Sequence, residues 1–442
     1  MIQKILTTVL FLTLAQIGLT QSSFDTEKLD KYFNALEEND KFMGSVAVSK
    51  NGEIIYAKSV GYADLENKVE ANKNFKYRIG SITKTFTTVL ILKAVEQNKL
   101  KLDQTIKKYF PTIKNAKKIT IKQLLSHRSG IHSFTDDEDY LSWCTEPKTE
   151  VEMIEIISQG ESEFKPGSTA KYSNSNFILL TYILEKTYDK SYAELLQEFI
   201  LEPIGLTSTY VFGDIDPEKK ECKSYNYTSS WEVEPETHYT VPLGAGAITS
   251  TPSELTTFAD ALFGGQLLKP ESLEIMKTIQ EGYGIGLFQI PFYTSMGYGH
   301  TGGIDGFSSV FSHFPKDTIS YALTSNGSNY NNNNISLAVL SAVYGKSYEI
   351  PDFTTYDVTS EALDQYVGVY TSKEINFTIT IRKDGNTLIA QGTGQPAFSL
   401  EATAKDKFKF DKAAAKFEFK PKENTMYLIQ GGARNKFVKE EE

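Results

Sequence analysis

Apolar positions along the first third of the chain switch period several times. From Phe24 to Asp40, Leu29, Phe33 and Leu36 recur at helical spacing and predict an amphipathic helix. Two β-rich runs follow, Ser45–Lys50 and Glu53–Asp64, joined by Asn51-Gly52, the pair that favours a tight hairpin. After Gly80 the run Ser81–Gln97 is apolar on nearly every side and predicts a largely buried helix. Helical patterns continue to about Lys190, interrupted by loops at Ser129-Gly130 and Lys165-Pro166-Gly167. Ser250-Thr251-Pro252-Ser253-Glu254 carries helix-start chemistry, with Ser or Thr as the cap and an acid in the first turn. Strand patterns return at Tyr283–Ile290, Gly306–Phe314 and Thr318–Asn326; the Asn-rich stretch Asn326–Asn334 is read as a surface loop, and Ile335–Gly345 as a closing helix.

The pattern changes near Tyr348. Residues 348–360 lack a clean period and are read as a linker. Beyond them, short alternating runs such as Phe377–Ile381, Phe417–Phe419 and Met426–Gln430 predict an up-and-down sheet or barrel. At the other end, Lys4 precedes the apolar run Ile5–Leu19 and then small polar residues, the layout of a secretory signal peptide cut near Thr20 or Gln21. The expected division is 1–20 signal peptide, 21–347 main domain, 348–360 linker and 361–442 β domain, with an exported, periplasmic or extracellular product. No later stretch is apolar enough to span a bilayer. A net charge of -10 argues against a nucleic-acid partner, which needs a basic face. The two cysteines, Cys144 and Cys222, are too few for a disulfide framework or a cysteine-rich zinc module, and are read as unpaired.

Three short segments carry chemistry. In Ser81-Ile82-Thr83-Lys84, a helix starting here puts the hydroxyl and the amine on one face. A serine hydroxyl attacks only when a base takes its proton, and a lysine is a base only when its pKa falls by roughly three units, worth about 4 kcal/mol. Burial among Ile79, Ile82, Phe86 and Leu90 supplies a cause. The same spacing recurs at Ser162 and Ser168, so this segment alone is weak. Tyr172-Ser173-Asn174 follows a Pro-Gly turn: Tyr172 offers a proton relay, or a base if neighbouring lysines depress it, and Asn174 a donor and an acceptor to a substrate amide. An isolated Tyr-x-Asn is also simply a turn. In His300-Thr301-Gly302-Gly303 the glycines let a strand backbone approach a ligand closely, and the Gly303 N–H can join that of Ser81 in an oxyanion hole. His127 is read as structural, and His238 and His313 have no companions that would make a metal site.

Taken in order, these segments resemble the signature of the penicillin-recognising serine hydrolases. The resemblance covers about residues 25 to 345 and extends to Leu124–Gly130 and Gly244-Ala245-Gly246. It is closest to the branch of class C β-lactamases, D-alanyl-D-alanine carboxypeptidases, D-aminopeptidases and related esterases. It implies an α/β fold with an antiparallel sheet flanked by helices and an all-helical subdomain, followed here by a segment that resembles small lipocalin-like barrels. It implies an acyl-enzyme on Ser81, base and acid roles shared by Lys84 and Tyr172, and substrate contacts from Asn174, His300, Thr301, Gly302 and Gly303. His300 stands where many members have lysine, which weakens any reliance on a substrate carboxylate. The expected partner is a small-molecule or peptide substrate, cell-wall fragments included, with no metal or organic cofactor. An esterase of the same mechanism and an idle binding protein remain open, as does the oligomeric state.

Overall fold

Asn51 and Gly52 take left-handed φ values of 53° and 81°, and the chain reverses there between strands Phe42–Lys50 and Glu53–Val60. This is the turn chemistry that the right-handed twist of a hairpin demands. The structure is a computed structural model describing residues 25–440 apart from residue 229, so the expected leader lies outside the described residues. The hairpin forms one side of a six-stranded antiparallel sheet. From edge to edge its strands are Phe288–Phe292, Ser295–Ile304, Phe307–Phe314, Ile319–Ser328, Phe42–Lys50 and Glu53–Val60. Both faces are covered. The first helix, Thr26–Glu38, buries Leu29, Tyr32, Phe33 and Leu36 on one face together with helix Asn332–Val343. On the other face Phe258 and Leu262 of helix Pro252–Phe263 meet Phe311 and Ala322. Strand Ile319–Ser328 is therefore buried along almost its whole length instead of alternating.

Helices Thr83–Glu96 and Asn174–Tyr188 form the centre of the helical part, apolar on nearly all sides because both are enclosed by other elements. Thr251 caps helix Pro252–Phe263 by accepting the Glu254 N–H, as expected. Two expectations need correction. Only Phe288 onward of the run read from Tyr283 is strand; Gly286 at φ 65° breaks the pattern before it. The Asn-rich stretch is not a free loop: Asn326 lies inside a strand, buried, donating to the carbonyls of Tyr62 and Lys223, while Asn331 caps the closing helix. Cys144 and Cys222 are separate buried thiols in different apolar clusters. Among the described residues no helix is long and apolar enough to cross a membrane.

After residues 346–359, which hold no helix or strand, eight antiparallel strands from Gly368–Ser372 to Ala433–Lys439 follow in chain order and close on themselves through Tyr370 and Lys439. Closure leaves no free edge. Tyr370, Phe408, Phe419 and Met426 pack inside. A cavity of about 1820 Å³ opens at the mouth, walled by Phe377, Phe398, Phe410 and Phe417 and, from outside the barrel, by Asn226, Tyr227 and Thr228. Lys41, itself buried, ties the sheet to the barrel through Glu401 and, at 3.1 Å, Asp411.

Candidate active site

Ser81 sits in a single 3-10 turn, Gly80–Ile82, that runs directly into helix Thr83–Glu96. Gly80 has φ 49°, and a Cβ there would lie 2.8 Å from the backbone nitrogen and oxygen of Gly303. A Cβ on Gly302 would lie 2.0 Å from the Ile79 carbonyl oxygen. Two backbones thus press together through paired glycines, which sets the Ser81 turn against the strand carrying Gly303. Gly80 and Gly302 are the positions where a side chain would block this approach; a Cβ on Gly303 would meet only the Phe307 carbonyl oxygen, at 3.9 Å.

Lys84 lies one turn on and is fully buried. Its Nζ is 2.9 Å from Ser81 Oγ, 2.8 Å from Asn174 Oδ1 and 2.7 Å from the Ala245 carbonyl oxygen. A neutral amine has two N–H groups and one lone pair. The two carbonyl-type oxygens can only accept, so they take both N–H groups, and the lone pair is left for the one neighbour that can donate, the Ser81 hydroxyl. Burial holds the lysine pKa well below its ordinary value. No neighbouring cation is needed for this, contrary to the usual recipe of burial plus a second charge.

Tyr172 and Asn174 arrive at the head of helix Asn174–Tyr188. Asn174 Nδ2 donates to Thr135 Oγ1 at 2.8 Å and its backbone N–H donates to Ser133 Oγ at 3.0 Å. Its amide is therefore spent on orienting Lys84 and on Thr135. Tyr172 lies against the Ser81 hydroxyl, and its ring is 5.0 Å from Lys84 Nζ. Burial pushes its phenol up, the Ser81 hydroxyl offsetting this only in part. Of the two readings left open for Tyr172, the condition for a base, a phenol depressed by lysines, is not met: burial raises it, and Tyr172 rests as a neutral phenol. His127 stacks on the Tyr172 ring at 4.4 Å and its Nδ1 accepts the Ser173 N–H at 3.1 Å. It bridges backbone and steadies Tyr172, as its structural reading expected.

His300 belongs to strand Ser295–Ile304 and is 2% exposed, with Nδ1 2.6 Å from the Thr301 carbonyl oxygen, so this nitrogen carries the hydrogen. Burial, with a smaller contribution from Lys84, pushes its pKa down to about 3. It is a neutral ring. A cavity of about 460 Å³ opens over Ser81, Asn174 and Gly303; His300, Thr301, Gly302 and Tyr172 are not among the residues lining it. Its far wall holds Phe134, Tyr140, Thr237, Glu234 and Asp305. Asp305 is held by Arg78 Nη1 at 2.9 Å, and Arg78 Nη2 is 2.6 Å from Glu236.

Ser133, Thr135 and Ala245 complete the site around Lys84 and Asn174. Only the Gly244-Ala245-Gly246 stretch carried any signal in the sequence. Away from the cleft, His132, Asp136 and Glu163 group as metal-ligand types within 4.8 Å of one another. The Lys171 ammonium lies among them, 2.5 Å from Glu163 and 3.6 Å from Asp136, while Asp137 takes the other His132 nitrogen at 2.9 Å. This is a closed charge cluster in which lysine already supplies the cation.

The family model described as Beta-lactamase matches residues 29–346. Penicillin-binding protein 4* of Bacillus subtilis (strain 168) is 25% identical over 428 residues, 88% of this chain and 93% of that protein. A teichoic acid D-alanine hydrolase of Staphylococcus aureus (strain MRSA252) is 28% identical over 250 residues, 55% of this chain and only 59% of that protein. Among solved structures, the octameric penicillin-binding protein homologue from Pyrococcus abyssi matches with a TM-score of 0.67 at 25% identity, over 94% of this chain and 100% of that one.

Proposed function

Because the chain belongs to the beta-lactamase family and is a hydrolase acting on amide or ester bonds through an acyl-serine, we propose that Ser81 is the acylated residue, Lys84 its base and Tyr172 the proton relay. In acylation, Lys84 Nζ takes the hydroxyl proton as Ser81 Oγ bonds to the substrate carbonyl carbon. The oxygen that gains charge is stabilised by the N–H groups of Ser81 and Gly303, an arrangement worth about a hundredfold or more per donor. The proton passes through Tyr172 to the leaving amine or alkoxide as the scissile bond breaks. Water then adds to the acyl carbon with the same groups as base, and Ser81 leaves with its proton restored.

The observation that carries this reading is the set of contacts at Lys84 Nζ, whose two carbonyl acceptors leave its lone pair to Ser81. Small molecules or peptides are the substrate class, and cell-wall material the proposed source, supported by relatives named for penicillin binding and for teichoic acid D-alanine hydrolysis. We further propose export, on the strength of the Lys4 and Ile5–Leu19 pattern, and a division into main domain, linker and barrel near residues 347 and 361. A fluorophosphonate probe or penicillin, followed by peptide mass spectrometry, is expected to modify Ser81, and Ser81→Ala is expected to lose the label. Label on another residue, or equal labelling of Ser81→Ala, contradicts the assignment.

A further inference from the structure

Taking the hydrolase reading as its ground, a deeper question is what the cleft accepts. The residues lining the cavity over Ser81 include two acids, Glu234 and Asp305, and no lysine, arginine or histidine. Asp305 is satisfied: Oδ1 accepts from the Thr237 N–H at 3.0 Å and hydroxyl at 2.6 Å, and Oδ2 from Arg78. Arg78, buried on Asp305 and Glu236, has no charge to spare for a ligand. Glu234 differs. It is half-buried, its backbone N–H donates to the Ser224 carbonyl at 3.0 Å, and its carboxylate has no hydrogen-bond or ion-pair partner among the described residues. Neither His300 nor Lys84 lines the cavity; Lys84 Nζ is engaged by Ser81, Asn174 and Ala245, and burial lowers the pKa of both groups. The lining of this cleft therefore holds one unanswered negative charge and no cationic side chain.

We propose that the cleft selects acyl donors carrying a free ammonium group, with Glu234 as the residue that receives it. The substrate class is an ester or amide of an amino acid with its α-amine unblocked, and substrates presenting a carboxylate near the acyl group are disfavoured. A half-buried carboxylate bound to ammonium makes a charge-assisted hydrogen bond, which translates to about a tenfold preference or more. The preference weakens as salt is added, because Glu234 is only partly shielded from solvent.

The test uses the purified protein and three matched p-nitroanilides of alanine, in both D and L forms: free amine, N-acetyl and N-succinyl. Two readouts run together, kcat/KM and the protection of Ser81 from fluorophosphonate by the corresponding alaninamides. The expected order is free amine, then N-acetyl by about tenfold less, then N-succinyl. Glu234→Gln is expected to collapse the order mainly through KM, and Glu234→Lys to reverse it in favour of N-succinyl. Equal kcat/KM and equal protection across the series overturn the proposal, as does an unchanged order in Glu234→Gln. Protection by none of the amides also overturns it while leaving the acyl-serine reading intact. Failure of fluorophosphonate to label Ser81 at all instead removes the hydrolase reading on which the proposal rests.

Discussion

Asn174→Asp puts a carboxylate where a neutral amide now accepts from Lys84 at 2.8 Å, with almost no change of shape. At an effective dielectric of about 20, a charge pair at that distance gains roughly 6 kcal/mol, of which burying the new carboxylate returns about half. The remaining ~3 kcal/mol favours the protonated lysine by about a hundredfold. Only the neutral amine can take the Ser81 proton, so on the acid side, where both lysines are mostly charged, the variant is expected to acylate about a hundredfold more slowly than the parent, and the gap narrows as pH rises. The sign with pH follows. Burial holds Lys84 well below its ordinary value in the parent, so its acylation rate falls as pH drops through that lowered value. In Asn174→Asp that fall moves to higher pH, and alkaline conditions restore the rate. The assay is pseudo-first-order modification of Ser81 by fluorescent penicillin or fluorophosphonate across the acid and alkaline range, with Asn174→Ala as comparator. A loss of the same size at every pH would mean that Asn174 matters only for shape, and the neutral-lysine argument would fail.

Gly80→Ala forces a side chain into a left-handed φ of 49° and to 2.8 Å from Gly303, so the Ser81 turn must lift from its strand; acylation is expected to drop about a hundredfold with the fold retained, checked by labelling rate beside circular dichroism, and an unchanged rate contradicts the packing argument. Lys41→Ala leaves Glu401 and Asp411 without their buried partner, although Lys409 remains 3.0 Å from Asp411, so a stability loss of about 2 kcal/mol and faster proteolysis within residues 346–359 are expected; calorimetry and limited proteolysis identical to the parent's would show that the pair holds nothing. His132 is pushed above its ordinary value near 6.5 by Glu163 and Asp137, despite some loss of hydration. A raised value means that its stabilisation is complete below the ordinary pKa and disappears as pH rises through the raised one, with Asp136 and Lys171 as the other charges facing the cluster. The Tm gap between the parent and His132→Gln is therefore expected to be widest in acid and to close in alkali; a constant gap refutes the linkage.

Much of the candidate site could be read from the chain because its residues are clustered: Ser81 and Lys84 share one helical turn, and Tyr172 and Asn174 one helix head. The hairpin at Asn51-Gly52 and the barrel strands were legible for a similar reason, since turn residues and period-two alternation are local signals. The misreadings come from long-range pairings. Asn326 belongs to a surface loop by composition, yet it bridges two carbonyls from distant segments. The third partner of Lys84 is a backbone oxygen, which no side-chain pattern advertises. Arg78 and Asp305 meet across more than half of the chain, and Glu234 gains its meaning only from what surrounds it. The choice between relay and base at Tyr172 stayed open in the sequence, because burial, which raises its phenol, comes from the packing of distant segments.

Strand Phe42–Lys50 finds its second neighbour in Ile319–Ser328, with Phe42 facing Ser328. At translation rates of about 5–20 residues per second, the N-terminal hairpin waits roughly 15–60 s before that neighbour exists. During synthesis the central sheet stays incomplete, so the main domain gains its native order only after nearly all of it has left the ribosome. A polypeptide that matures this late stays in a threadable state through most of its production, whereas the terminal ring of eight consecutive strands needs only nearby chain and can assemble as soon as it emerges.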